Sequence, residues 1–245
     1  MARQRHLNNA PITEALIDLR VKLPIETQDI TLIHSLHERI RERFPKEKKI
    51  QHFEYQLEFG PPQKEKTTSS QLGYRYDSTD GRQVIQAKLD GFTFSWLKPY
   101  ETWEVLRGEA YSMWQLYQEI MKPEAITRVA TRYINQIEIP GPLIDFDHYL
   151  TAAPVIPKAL PQAFASFLTR IVVPDDKKQL VSIVTQIFQP GVNPEVTPVV
   201  LDIDVFKEKL FENEASAWAI IDSLRETKNL IFFDSITEKA VELFQ

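Results

Sequence analysis

Asp202 and Asp204 stand two residues apart in a segment, Val199 to Phe206, whose odd positions Val199, Leu201, Ile203 and Val205 are all apolar. Alternation of that period describes a half-buried strand, so both carboxylates fall on its polar face. Two carboxylates so placed could hold a divalent cation, as in metal-dependent phosphoryl transfer. No third carboxylate and no Gly-Ser nucleotide loop lies near them in sequence. Neutralisation by arginine is the simpler reading. Arg128 and Arg132 supply it, four apart on a second strand and hence on one face. Their forked guanidinium donors also suit a small anionic ligand.

Glu14 and Asp18 repeat that spacing with opposite charge on a third strand. If the two strands are equivalent and pair antiparallel at the middle of one sheet, Glu14 faces Arg132, Asp18 faces Arg128 and Leu16 faces Ala130. Each opposite-charge pair would contribute roughly 0.2–1 kcal/mol. Tyr100 and Glu101 occupy a strand-to-helix corner among the aromatics Trp96, Trp103, Tyr111, Trp114 and Tyr117. At this spacing the aromatics form core, and an open set of them would form a ligand pocket or partner surface.

Other constellations carry less. His34, His37 and Glu38 could converge on a metal only from a single helical turn, and His37 falls on the apolar line of that helix, so a packed or solvent-edge histidine pair is the expectation. The basic run Arg39 to Lys49, interrupted by Glu42 and Glu47, could touch phosphates, although a solvated helix end and loop is the better explanation. With 29 basic against 34 acidic side chains and a net charge of −5, a general nucleic-acid coat is disfavoured. The absence of cysteine removes disulfides, thiolate metal sites and cysteine nucleophiles. The seven glycines never form GxG or GxxxxGK, and neither G-x-S-x-G nor HExxH occurs. No cofactor is indicated.

The elements that must position these residues read as two similar halves, 1–123 and 124–245. In the first, a strand runs from Thr13 to Leu23 and ends at Pro24. A helix follows from Asp29 to Phe44, stopped by Pro45. Strands are expected at His52 to Phe59, Leu72 to Asp77, Gln83 to Leu89 and Phe92 to Leu97, the last two joined by an Asp90-Gly91 turn. Gly60 to Gln71 reads as a polar loop. Thr102 caps a long helix that ends before Pro123. In the second half a strand reaches Ile139, a Pro-rich connection with short helical pieces occupies Asp145 to Gln162, and strands lie near 164–173, 180–188 and 198–206. Helices close it at Glu214 to Thr227 and Asp234 to Phe244. The order of elements, Ile12-Thr13 against Ile126-Thr127, and Trp114 against Trp218 point to a tandem duplication in an α+β fold. The expected architecture is one continuous curved antiparallel sheet with helices on one face.

The opening Pro11-Ile12-x-Glu14-Ala15, the stretch Phe92 to Trp103, the strand Thr127 to Asn135 and Leu201-Asp202-Ile203-Asp204 together resemble a sporadically distributed bacterial and archaeal family of about 250 residues whose members are functionally uncharacterised. The resemblance spans nearly the whole chain and implies a cytoplasmic prokaryotic protein. It brings no activity or catalytic residue with it, and patchy occurrence is common among accessory, defence and toxin-antitoxin genes. The start lacks an apolar segment of the kind a secretory leader needs, and no apolar run is long enough to span a membrane. The function expected is a non-catalytic binding or scaffold protein that recognises a protein partner, a second copy or a small anionic ligand. Its site would comprise Glu14, Asp18, Arg128, Arg132, Asp202, Asp204 and Tyr100. The alternatives are a metal-dependent hydrolase or nucleotidyl-processing enzyme using Asp202 and Asp204, and a nucleic-acid binder through Arg39 to Lys49.

Overall fold

In the computed structural model, which describes residues 1–58, 64–141 and 145–245, alternation of apolar and polar residues becomes a nine-stranded sheet in which every neighbouring pair is antiparallel. The strands are β1 (Ile12–Lys22), β2 (Lys46–Glu58), β3 (Lys64–Asp77), β4 (Gln83–Lys88), β5 (Gly91–Leu97), β6 (Ala125–Pro140), β7 (Phe167–Asp175), β8 (Leu180–Phe188) and β9 (Val196–Glu208). Their order across the sheet is β2-β3-β4-β5-β1-β6-β9-β8-β7. On either side of the central β1–β6 pair the chain therefore lays down three strands in mirrored order, and β2 extends one edge.

The four helices are α1 (Ile30–Ile40), α2 (Trp103–Met121), α3 (Glu214–Ser235) and the single turn α4 (Glu238–Val241). Thr102, Asn213 and Asp29 cap α2, α3 and α1 by accepting from backbone N–H groups of the first turn. Helix α2 stops where Lys122 takes a left-handed conformation (φ 45°) and returns its N–H to Gln118, just before Pro123. Helices α1, α2 and α3 pack against the sheet through Ile33, Leu36, Leu106, Trp114, Ile221 and Leu224. They meet Ile17, Leu19, Phe92, Phe94, Val129, Tyr133, Leu201 and Ile203, which form one face of the central strands. Full burial stabilises each such aliphatic or aromatic side chain by roughly 1.5–3 kcal/mol. Gly91 is fixed by contact, since a Cβ there would lie 2.5 Å from the Leu19 carbonyl oxygen.

Several expected boundaries move. The sequence from Lys64 to Gln71, expected as loop, is the first half of β3, and the basic stretch from Lys46 opens β2 instead of preceding it. Neither segment alternates apolar with polar residues: Lys46, Lys48 and Lys49 in one and Thr68, Ser69 and Ser70 in the other are exposed, so no apolar period is imposed there. Helix α1 ends at Ile40, short of Phe44, and α3 runs on to Ser235, leaving only the turn Glu238–Val241 and a 3₁₀ turn where a separate last helix was expected. Phe59 and Gly60 to Gln63 lie outside the described residues. No helix among the described residues is long and apolar enough to cross a membrane.

The central pair is β1 against β6, as expected, but its register differs by two residues. Leu16 faces Arg132, Asp18 faces Ala130 and Arg20 faces Arg128, while Glu14 faces Ile134. A two-residue slip leaves every side chain on its own face, so the alternation that assigns faces cannot assign register. The irregularities between Ile12 and Glu14 and between Arg20 and Val21 take part in fixing it. The register is symmetric about the Ile17–Thr131 pair: the Leu16–Arg132 and Asp18–Ala130 pairs exchange, as do Glu14–Ile134 and Arg20–Arg128.

Candidate functional site

Five of the seven expected site residues meet on the sheet face away from the helices. Arg128 donates from Nη1 to Asp18 Oδ1 at 2.8 Å and from Nη2 to Asp204 Oδ2 at 3.4 Å. Its guanidinium lies over the Phe206 ring, 4.3 Å from the centroid. Asp18 also accepts from Thr93 Oγ1 at 2.8 Å and lies 3.4 Å from Arg20 Nε. Arg132 grips Asp202 with both ends of its fork, Nε to Oδ1 at 2.8 Å and Nη2 to Oδ2 at 2.5 Å. The Arg128–Asp18 and Arg132–Asp202 bonds are diagonal, each reaching two residues along the neighbouring strand, and so the altered register still unites Asp18 with Arg128. Glu14 shares the face and makes no ion pair among the described residues, though its charge helps to hold Arg132 protonated after the bonded Asp202 and nearby Asp204.

The network is almost self-sufficient. Asp204 is its exception: Oδ1 is buried and has no hydrogen-bond partner among the described residues. Burial raises its carboxyl above the usual range, Arg128 and Arg132 oppose that shift, and Asp18 and Asp202 add to it. The described residues place no three His, Asp or Glu side chains so that they could hold a metal ion together. In the basic run, Arg39 pairs with Glu119, Arg43 with Glu109 and Lys48 with Asp77. His34 and His37 both approach Glu47 of β2, at 2.9 and 3.5 Å, and His37 Nε2 also bonds the Phe44 carbonyl.

Tyr100 goes to the opposite side of the sheet. It closes one wall of a cavity of about 630 Å³ bounded by the start of β1, the middle of β6, the first turn of α2, the C-terminal half of α3 and residues 4–8 of the N-terminal segment. That segment is tied across the helices by Ala2 N–H to the Phe233 and Ile236 carbonyls and by Asn9 N–H to the Phe244 carbonyl. Tyr100 Oη lies 3.4 Å from Tyr133 Oη, and burial pushes both phenols up, so both stay protonated at neutral pH.

Lys228 is the residue that pattern reading misses. It sits on α3 between Arg225 and Phe232 in the cavity wall, 7% exposed, with Nζ 3.6 Å from the centre of the Tyr133 ring. No carboxylate or carbonyl among the described residues accepts a hydrogen bond from it. Burial, with a smaller contribution from the Arg225 charge, brings the amine down to about 7. Arg225 faces Trp103, its guanidinium 5.7 Å from the ring centre. The first turn of α2 completes this wall: Thr102 Oγ1 takes the Val105 N–H, and the Trp103 and Glu104 N–H groups have no acceptor among the described residues. Glu104 and the paired Glu101 bring the acidic side chains of the wall. In sequence Lys228 closes Arg-Glu-Thr-Lys, which reads as a solvated helix face, and its only cue is helical spacing from Leu224 and Phe232.

The arrangement separates the expected site into two. A charged lattice on the open sheet face is neutralised by its own members, whereas the cavity on the helix side holds an unsatisfied amine, two phenols and a helix N-terminus. Comparison of the chain with protein-family models and with curated proteins finds no match.

Proposed function

We propose that the protein binds a small organic anion in the cavity between α2 and α3. The carrying observation is that Lys228, buried and without an ion-pair or hydrogen-bond partner among the described residues, lines the same cavity as Trp103 and Glu104, whose N–H groups have no acceptor among the described residues. A buried amine of this kind is costly until an acceptor arrives, and a helix N-terminus favours negative charge. Trp103, Tyr100 and Phe232 offer apolar surface to the rest of the ligand. The outward arginines are engaged by Asp18, Asp202 and Asp204 and serve as sheet scaffolding. The test is calorimetric titration with 3-phenylpropionate, an anion of suitable size. Wild type should bind, and Lys228→Met should lose at least about tenfold in affinity, about 1.4 kcal/mol. Equal affinity in both proteins would exclude the site.

A second reading, self-association, is favoured by edge strand β7. Leu168, Ile171, Val172 and Val173 there are about half or more exposed, and the outer backbone edge is unpaired. A second copy fits because an antiparallel edge complements itself about a twofold axis. With Val173 on the axis, Arg170 meets Asp176 on one face. Sedimentation over a concentration series should show a dimer that Val172→Lys dissociates, and a monomer throughout would remove it. The mirrored strand order and symmetric central register support a duplicated ancestry for the two halves.

A further inference from the structure

We propose that Lys228 captures its ligand covalently, as an imine with the carbonyl group of a small oxo acid. The inference rests on the anion-binding reading of the cavity and adds to it the reactive group that the anion must carry. A lysine amine reacts with a carbonyl only in its neutral form. At an ordinary value of ~10.4 roughly a thousandth of lysine is neutral near pH 7.4. Burial brings Lys228 to about 7, so the larger part of it is available there.

Position agrees with protonation. The amine is held over the Tyr133 ring and not in an ion pair, so no partner must be removed before it reacts. The cavity floor carries two adjacent phenols, Tyr133 and Tyr100, 3.4 Å apart and both kept protonated by burial. Arg225 and the first turn of α2 lie in the same wall and suit the carboxylate of the ligand. Glu104, which makes no ion pair among the described residues, lines the same cavity and disfavours a second anionic group.

The step balances without a further reactant. The Lys228 nitrogen adds to the carbonyl carbon, the carbonyl electron pair passes to oxygen, and one amine proton moves to that oxygen to give a carbinolamine. The nitrogen lone pair then expels hydroxide as the second amine proton leaves. Tyr133, through Tyr100, relays a proton to the departing oxygen and recovers one. The products are one imine and one water, with no change in oxidation state. Tyr133 is in this sense a proton donor, and Arg225 a positioning residue.

The full-length protein would be incubated with phenylpyruvate and reduced with sodium borohydride, and the labelled lysines mapped by peptide mass spectrometry. Two control probes separate the ligand's features: 3-phenylpropionate has the acid without the carbonyl, and phenylacetone has the carbonyl without the acid. Phenylpyruvate should label Lys228 on the order of 100-fold faster than any surface lysine, and faster than phenylacetone does. Tyr133→Phe should slow labelling of Lys228, and an unchanged rate would remove its role as proton donor. Labelling spread evenly over surface lysines, or none at Lys228, would overturn the imine even where 3-phenylpropionate binds. Equal labelling by phenylacetone would overturn the oxo-acid assignment. Loss of 3-phenylpropionate binding alone identifies failure of the underlying anion site. Mapping is done on wild type, so the outcome does not depend on the folding of a Lys228 variant.

Discussion

The side-chain nitrogen of Lys228 lies 3.6 Å from the centre of the Tyr133 ring, joining the middle of α3 to the middle of β6 across the helix–sheet interface. The ring supplies a weak electrostatic partner, worth ~2 kcal/mol for a desolvated cation. That is too little to offset full desolvation of an ammonium, and the amine gives up its proton more readily as a result.

Stability should therefore depend on pH through this one group. In the unfolded chain Lys228 titrates at ~10.4, and in the folded protein at about 7. Between those values the unfolded chain binds the extra proton, so stability rises with pH by up to ~1.4 kcal/mol per unit. Below about pH 7 both states are protonated and the cost is complete. Urea melts should show Lys228→Met more stable than wild type near neutral pH, with the gap closing toward pH ~10. A gap independent of pH would contradict the assignment.

Anion binding should draw in a proton. A bound carboxylate favours the charged amine, so at about pH 8, where free Lys228 is mostly neutral, binding of 3-phenylpropionate is coupled to proton uptake. Below about pH 6 the amine is already charged and uptake falls toward zero. Calorimetry in buffers of differing ionisation enthalpy measures the number directly. Proton release at pH 8 would oppose a carboxylate beside Lys228.

Asp202 and Asp204, two residues apart, should respond oppositely to loss of charge. Asp204→Asn removes a carboxylate whose burial raises its pKa, so its ionised form is a net cost. Such a group favours the folded state below the ordinary carboxylate value and loses that advantage as pH rises through the folded one. The variant should melt higher than wild type at neutral pH, and the difference should narrow on acidification toward pH ~4. Asp202→Asn breaks the fork from Arg132 and should cost about 1 kcal/mol. Equal destabilisation by the two would be the contrary result.

Removing Arg128 leaves two carboxylates, Asp18 and Asp204, without their shared cation. Arg128→Met should destabilise by about 3 kcal/mol, since breaking one side of a largely buried ion pair strands the other. Thr93→Val removes one bond to Asp18 and should cost ~1 kcal/mol. A double-mutant cycle of Arg128→Met with Asp18→Asn should give a positive coupling energy. Additive effects would mean that the diagonal bond contributes nothing.

The sequence by itself determined the α+β class, the strands of the central sheet and the faces of their residues. Those follow chiefly from the alternation of β1 and β9, where one side is buried under helices and the other is polar; β6 alternates less strictly, with Thr131 and Asn135 buried on the helix side and Ile134 on the other. It also determined that Asp18, Arg128, Arg132, Asp202 and Asp204 share a face, because parity along a strand is local. It did not carry register: Glu14 against Arg132 and Leu16 against Arg132 preserve parity equally, and only bulges and helix packing distinguish them. The basic start of β2 and the first half of β3 escaped for the related reason that they carry no apolar alternation: Lys46, Lys48, Lys49, Thr68, Ser69 and Ser70 are exposed.

Tertiary structure alone decided where the unsatisfied chemistry lies. Tyr100 and Thr102 come together from the corner between β5 and α2, Tyr133 from β6 and Lys228 from α3, so no spacing in the chain links these three segments. Lys228 has the sequence surroundings of a solvated lysine, and it becomes a buried amine because α3 runs on past Thr227 and lies across β6. Desolvation is a property of what packs around a group, and that is set by the fold rather than by its neighbours in sequence.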